Sequence, residues 1–107
     1  ASLASIASAP AVIIAGIATN VCCETTAREA WVRDYRVFFL SDGTTTFDMG
    51  GATAGELKKA TLATLGFLFA HVLTVDEMVE KIKAASMQRA TAAWDSAPSW
   101  NRAGTPP

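Results

Sequence analysis

The sequence lacks any strong excess of charge. Its 107 residues include nine Lys and Arg against ten Asp and Glu, which gives a net charge of −1. The basic residues are scattered, and none of their local clusters alternates with aromatic residues as a surface that binds nucleic-acid strands would. We therefore expect no nucleic acid and no anionic membrane surface among its partners.

Long apolar runs and a framework of paired cysteines are also absent. The longest nearly apolar run, residues 62–75, is too short to span a bilayer and contains His71. Residues 1–16 are apolar but have no basic leader, so we do not interpret them as a signal peptide. The two cysteines, Cys22 and Cys23, are neighbours that only a strained ring would bridge, and a reducing cytoplasm suits them better. One histidine provides no metal-ligand set, and we expect neither a metal nor another cofactor.

The composition is that of a folded chain, since half of the residues are hydrophobic and 18% are charged. The length allows one domain at most. Short apolar segments predict strands buried on both faces of a parallel sheet, at residues 11–15, 36–40 and 72–73. The second strand is expected to end at residues 41–43 and to be followed by a loop at 44–51. Helical spacing and capping residues predict helices at residues 21–33, with Asn20 as N-cap, at 52–69, and after a capping box at 74–77.

This alternation of strands and helices predicts an α/β fold, with a parallel sheet between two helical layers. Three strands make a thin sheet, so we expect only half of a domain. The predicted layout has an Ala/Ser-rich segment at residues 1–10 and the half-domain at 11–90. A tail or arm follows at 91–107, where Trp94 and Trp100 are candidates for docking onto a partner.

The first strand-to-helix turn, residues 16–23, is the place where the sequence points to chemistry. Functional groups of open α/β sheets gather at the carboxyl ends of the strands. Cys22 falls in the first helical turn there, and the positive end of a helix dipole favours a reactive thiolate. Free backbone N–H groups in the same turn would bind an oxyanion. A cysteine near a helix start is nevertheless more often a small buried hydrophobe, and the physical argument alone leaves both readings open.

The amino-acid sequence of this segment is more specific than its position in the fold. Residues 14–30 read Ile-Ala-Gly-Ile-Ala-Thr-Asn-Val-Cys-Cys-Glu-Thr-Thr-Ala-Arg-Glu-Ala. They closely resemble the signature of the isochorismatase-like cysteine hydrolases, an apolar strand with Gly-x-Ala-Thr-Asn/Asp-x-Cys-Val and then a Thr-Ala-Arg-Asp/Glu-Ala helix. The similarity continues through residues 34–42 and, more faintly, 70–77, so it spans about residues 12–80. The resemblance implies the C-terminal half of that family's domain.

The resemblance implies roles for residues of the turn. Cys22 holds the position of the nucleophile, whereas Cys23 replaces a Val and is expected to pack. A cis peptide bond is implied between Ile17 and Ala18, with the N–H groups of Ala18 and Cys22 forming the oxyanion hole. Thr19 and Asn20 of the turn, together with Thr44, Thr45 and Phe47 of the next loop, are expected at the substrate pocket.

The cysteine also bears on the type of reaction. Family members that have it attack amide, carbamoyl or ureido carbons through a thioester, and Asn20 leans slightly towards the carbamoyl and ureido side. Isochorismatase-type hydrolysis of a vinyl ether, which proceeds without this cysteine, is the alternative within the family. Two further alternatives are a non-catalytic fragment or association subunit of such an enzyme, and thiol redox sensing by the pair of Cys22 and Cys23.

The family's catalytic Asp and Lys come from its N-terminal half, and residues 1–10 contain neither. The resemblance therefore implies that the missing N-terminal half or a complementary chain completes the site. The expected partners are that segment, a small-molecule substrate and further copies of the chain in a homo-oligomer.

Overall fold

Three parallel strands form the sheet of the computed structural model, which describes residues 10–98 and residue 100. The strands are β1 (Ala11–Ile17), β2 (Arg36–Thr45) and β3 (His71–Leu73), in the order β1-β2-β3. Both neighbouring pairs are parallel, which confirms the predicted α/β class. The segment predicted at residues 1–10 lies outside the described residues except for Pro10, and so do residues 99 and 101–107 of the predicted tail.

Strand β2 does not end at residues 41–43, so that prediction was wrong. Ile14 pairs with Phe39, but Gly16 pairs with Thr44, so β2 advances five residues while β1 advances two. The extra residues form a bulge, after which β2 rejoins β1. The Asp42 carboxylate accepts a hydrogen bond of 2.8 Å from the backbone N–H of Val75, which holds the bulge in place. Thr44 is therefore a strand residue, and so is Thr45, rather than part of a loop.

The predicted helices are present, but two of them contain π-helical turns. The first begins with a π-helical turn (Thr19–Cys23, the first π-turn) and continues as α1 (Glu24–Val32). The second consists of α2 (Ala54–Thr64) and a second π-turn (Leu65–Phe69). The last, α3 (Val75–Ser96), continues past residue 90, where the predicted half-domain ends.

The caps differ from those expected. Ala18, with extended backbone angles, is the N-cap of the first π-turn, and no side chain caps that end. The prediction that Asn20 is the N-cap was wrong, because the helix begins earlier and its side chain bonds to a distant loop instead. At α2, Thr53 and Glu56 form a capping box, with hydrogen bonds of 3.1 Å in both directions. This box fixes the start of α2 just after residue 52.

The two π-turns and α1 cover one face of the sheet. Ile14, Val37 and Phe39 of the strands pack against Cys23, Ala27 and Leu65 of the helices. The three strand residues alternate with neighbours on the opposite face, as the two-residue period of a strand requires. The core therefore includes Cys23, the residue that follows Cys22 in the turn.

The chain divides into two compact units after Val75. The second unit consists, among its described residues, of the rest of α3, residues 97 and 98, and the exposed Trp100. No helix within residues 10–98 is both long and apolar enough to cross a membrane.

Candidate active site

The backbone of the turn after β1 has an unusual course. Gly16 has a φ of 116°, a value that glycine adopts readily because it has no Cβ. The peptide bond between Ile17 and Ala18 is cis, as the resemblance implies. The carbonyl of Ala18 then accepts hydrogen bonds of 3.1 Å from the N–H groups of Val21 and Cys23. These bonds fix the turn directly on both sides of Cys22.

The two neighbouring cysteines have different surroundings. Cys22 is exposed and Cys23 is buried, and both are free thiols. The Cys23 sulfur lies 3.9 Å from the carbonyl oxygen of Ala15, within the core cluster. Burial raises the pKa of the Cys23 thiol, and the adjacent Cys22 adds to this. The packing role predicted for Cys23 is thus confirmed, while the nucleophilic role of Cys22 stays a prediction.

The expected pocket residues are not equally accessible. Thr19 is fully buried and Thr44 is 3% exposed, whereas Thr45 and Phe47 are exposed. The ammonium group of Lys58, on α2, donates a hydrogen bond of 2.8 Å to the carbonyl of Thr44. It thereby ties the end of β2 to α2. The pocket roles of Thr19, Thr44, Thr45 and Phe47 stay predictions.

Asn20 connects the first π-turn to the segment after β2. Its amide oxygen accepts a hydrogen bond of 2.6 Å from the Thr46 hydroxyl, and its amide nitrogen donates to the Met49 sulfur at 3.5 Å. Sequence reasoning missed both partners. The Gly50-Gly51 pair could have revealed a tight two-residue turn here, because such pairs favour hairpin turns.

A second polar network connects α1 to the elements packed against it. Glu24 accepts hydrogen bonds from the Thr61 hydroxyl at 2.9 Å and from Arg28 at 3.2 Å. The Arg28 guanidinium lies 4.5 Å from the centre of the Phe69 ring, which also contacts Trp31 edge to face. These contacts join the helix that follows Cys22 to α2 and the second π-turn.

One groove of the first unit lies at the other edge of the sheet. Its volume is about 640 Å³, and its lining includes Trp31, Arg36, Phe67 and His71, two of which open β2 and β3. None of the predicted site residues lines it. His71 is exposed and stacks on Phe38 at 5.3 Å between ring centres, which is a structural contact.

Within the part of the chain that the structure describes, no three His, Cys, Asp or Glu side chains lie together as a metal site would require.

The fold and the turn together define a class: α/β proteins with a parallel sheet, in which functional groups gather at the carboxyl ends of the strands. A family model described as the isochorismatase domain matches residues 6–77 of the 107 residues. Since this is more than half of the sequence, the chain belongs to the isochorismatase family.

Two curated relatives are similar over the same region. Nicotinamidase 3 of Arabidopsis thaliana is 48% identical over 67 residues, which cover 63% of this chain and 31% of the relative. The ureidoacrylate amidohydrolase RutB of Variovorax paradoxus (strain S110) is 36% identical over 74 residues, covering 69% of this chain and 27% of the relative. The chain thus spans about a third of the length of the relatives it matches.

Solved structures agree with this assignment. A cysteine hydrolase from Pseudomonas syringae pv. phaseolicola 1448A is 34% identical, with a TM-score of 0.68, over 70% of this chain and 38% of that one. An isochorismatase-like hydrolase from Alkaliphilus metalliredigens is also 34% identical, with a TM-score of 0.56, over 66% and 36% of the two chains. The isochorismatase-like form of the α/β fold is thereby confirmed.

Proposed function

We propose that this chain supplies the nucleophile of an amidohydrolase that cleaves amide, carbamoyl or ureido C–N bonds. The proposal depends on one observation above all: Cys22 is exposed, while Ala18 and Cys23 beside it are buried. Two similar proteins named as a nicotinamidase and a ureidoacrylate amidohydrolase support the reaction class.

In the proposed reaction, the Cys22 thiolate attacks the carbonyl carbon and the N–H groups of Ala18 and Cys22 bind the resulting oxyanion. The C–N bond then breaks, the leaving nitrogen takes a proton, and an acyl thioester remains on Cys22. Water attacks the thioester, releases the carboxylic or carbamic acid, and returns the sulfur as a thiol. Thr19, Asn20, Thr44, Thr45 and Phe47 are the residues proposed around the substrate.

The proton transfers call for an acid–base pair from outside this chain. General acid–base help is commonly worth about 10²–10⁴-fold in rate, so we expect the chain alone to turn over slowly. The family resemblance implies an Asp and a Lys from a preceding segment, and the partial coverage supports this, since the chain spans about a third of its curated relatives. That segment, or a complementary chain, is the proposed partner.

The proposed place for this partner is the edge of β1 that faces away from β2, which no strand among the described residues covers and which we call the free edge. The strand reads Ala-Val-Ile-Ile-Ala-Gly-Ile without a charge, and β2 pairs with only one of its edges. Ile13 and Ile17 are 44% and 61% exposed, although parallel strands of this composition are ordinarily covered on both faces. A groove of about 450 Å³ runs beside it along Val12 and α1. We also propose that copies of the chain associate into a homo-oligomer. Because both cysteines are free thiols, we propose a reducing compartment for the chain.

Selective alkylation tests the proposed nucleophile. We expect iodoacetamide to label Cys22 much faster than Cys23, and amide, carbamoyl or ureido compounds to slow the labelling of Cys22. Cys23→Ala should keep this protection, and Cys22→Ala should remove the fast phase, both read by peptide mass mapping. Equal labelling of the two thiols without protection would reject the hydrolase.

An association subunit without catalysis is the second candidate, and the free edge of β1 favours it. It predicts binding of the partner with no protection of Cys22 by any amide. A redox pair instead predicts reversible oxidation of Cys22 and Cys23 without protection, but the burial of Cys23 argues against it.

A further inference from the structure

The groove where β2 and β3 begin, which we call the amino-edge groove, has the size and lining of a small-molecule site. Its volume of about 640 Å³ is within the range of such sites. Its lining includes aromatic residues from three segments: Trp31 of α1, Tyr35 of the turn before β2, and Phe67 and Phe69 of the second π-turn. Trp31, Tyr35 and Phe67 are 38%, 41% and 88% exposed, so a ligand in the groove can contact their rings.

Asp34, in the turn between α1 and β2, adds a carboxylate to this lining. Its N–H donates to the Trp31 carbonyl at 3.0 Å, and the N–H of Tyr35 donates to the Ala30 carbonyl at 3.0 Å. These are the two bonds of a Schellman motif, in which the residue after the helix cap has a left-handed conformation and is usually glycine. Asp34 occupies that position with a φ of 64°, which strains a residue that has a Cβ. The turn therefore holds an acidic residue at the groove where glycine would fit more easily.

The basic and imidazole groups of the lining contact another ring. The Arg36 guanidinium lies 6.0 Å from the centre of the Phe38 ring, and the His71 ring stacks on the same ring at 5.3 Å. Phe38 itself does not line the groove. Among the described residues, Asp34 is the acidic member of the lining, and its charge is combined with the aromatic rings of Trp31 and Tyr35.

Aromatic rings next to a carboxylate favour an organic cation. An ammonium group within about 6 Å of the face of Trp, Tyr or Phe is attracted by the ring, and quaternary ammonium ligands are recognised in this way. The same wall of the groove shows this interaction within the chain, since the Arg28 guanidinium lies 4.5 Å from the centre of the Phe69 ring. A carboxylate attracts a positive ligand and repels an anion, so the charge of Asp34 acts in the same direction as the rings.

We propose that the amino-edge groove binds a small organic cation of the alkylammonium class. Trp31, Tyr35 and Phe67 contact its alkyl groups, and Asp34 supplies the opposite charge. The groove lies at the edge of the sheet away from Cys22, so this proposal does not depend on the proposed function.

Titration of the full chain with three probes of similar shape tests the proposal. Choline carries a quaternary ammonium group, 3,3-dimethylbutan-1-ol has carbon in place of its nitrogen, and 3,3-dimethylbutanoate carries a negative charge. We expect choline to bind roughly three- to thirtyfold more tightly than the neutral alcohol, and the anion to bind most weakly. The readout is the shift of the Trp31 indole N–H in ¹⁵N NMR, assigned with Trp31→Leu. Equal affinities for choline and the alcohol, or tighter binding of the anion, would overturn the proposal.

Asp34→Gly separates loss of the charge from damage to the fold. Glycine relieves the strain of the positive φ, so the urea midpoint should rise, while the preference for choline over the neutral alcohol should fall. Asp34→Asn also tolerates this conformation and should lose the same preference with little change in the urea midpoint. If either folded variant keeps the full preference for choline, the proposal is wrong.

Two exposed phenylalanines at opposite edges of the sheet give a matched comparison. Phe67→Leu should weaken choline binding by roughly two- to fivefold, whereas Phe47→Leu at the carboxyl edge should leave it unchanged. A second copy of the chain is the competing occupant of the groove. If Phe67→Leu abolishes self-association in sedimentation experiments and choline causes no shift at Trp31, that copy occupies the groove and the proposal fails.

Discussion

The carboxyl and amino edges of the same sheet differ in what they place on the surface. At the carboxyl edge, an exposed thiol lies on a turn fixed by backbone bonds, glycine geometry and the Asn20 contacts. At the amino edge, a groove of about 640 Å³ is lined by aromatic side chains such as Trp31 and Phe67. The groove at the amino edge therefore does not coincide with the candidate site, which was identified by an exposed cysteine on a fixed backbone.

The largest expected difference between the edges concerns covalent chemistry. With p-nitrophenyl acetate, Cys22→Ala should remove the burst of nitrophenolate and the acetyl adduct on the chain, because the acyl acceptor is gone. His71→Ala at the amino edge should keep both, since its ring stacks on Phe38 away from the turn of Cys22. Stopped-flow absorbance and intact mass measure the effect. A full burst in Cys22→Ala would place the nucleophile elsewhere.

A pair of glycines compares the two edges in terms of stability. Gly16→Ala should lower the free energy of unfolding by about 1–3 kcal/mol, because φ at this position is 116°. Gly66→Ala, in the second π-turn, should change it by only about 0.5 kcal/mol, since its Cβ would meet Val72 at 3.4 Å and can be accommodated. Urea denaturation gives both values. Equal effects would show that the turn before Cys22 is not restricted by its backbone.

Two threonines on α2 test the polar support of α1. Thr61→Val removes the hydrogen bond to Glu24 and should cost about 0.5–1.5 kcal/mol. Thr64→Val is the matched control, because its exposed hydroxyl bonds to the Ala60 carbonyl of its own helix. Its effect should stay within about 0.5 kcal/mol. If both variants unfold at the same urea concentration as the parent chain, the network does not stabilise α1.

The smallest expected effect is a dependence of stability on alkaline pH. The raised pKa of Cys23 means that the unfolded chain loses this proton at a lower pH than the folded chain. The stabilising contribution is therefore complete below the ordinary thiol pKa and is lost as pH rises through the folded value. The urea midpoint of the parent chain should fall more steeply between the ordinary thiol pKa and the folded value than the midpoint of Cys23→Ala. Parallel curves would mean that Cys23 titrates alike in both states.

The sequence predicted the parts of the fold that depend on local pattern. The apolar runs located all three strands, and the signature around Cys22 indicated the turn, the cis peptide bond and the packing of Cys23. Each of these follows from residues within a few positions of one another, so a short stretch of sequence contains the necessary information.

Long-range contacts account for what the sequence did not predict. Asn20 is a good N-cap by type, but a hydroxyl 26 residues away is its observed partner. Ser41-Asp42-Gly43 has the composition of a turn, yet Asp42 bonds to Val75 and the strand continues past a bulge to Thr45. The contact of Lys58 with the Thr44 carbonyl has no local signal either. Such contacts override local propensity because the folded chain brings distant residues together.

The uncharged edge of β1 also affects how the chain behaves when purified alone. Seven residues without a charge or a proline, Ala-Val-Ile-Ile-Ala-Gly-Ile, match the composition of segments that stack into cross-β fibrils. An edge of this kind templates a strand of any origin, including one from an identical molecule. The purified chain should therefore aggregate faster as its concentration rises. Replacing the exposed Ile13 by lysine should delay this aggregation.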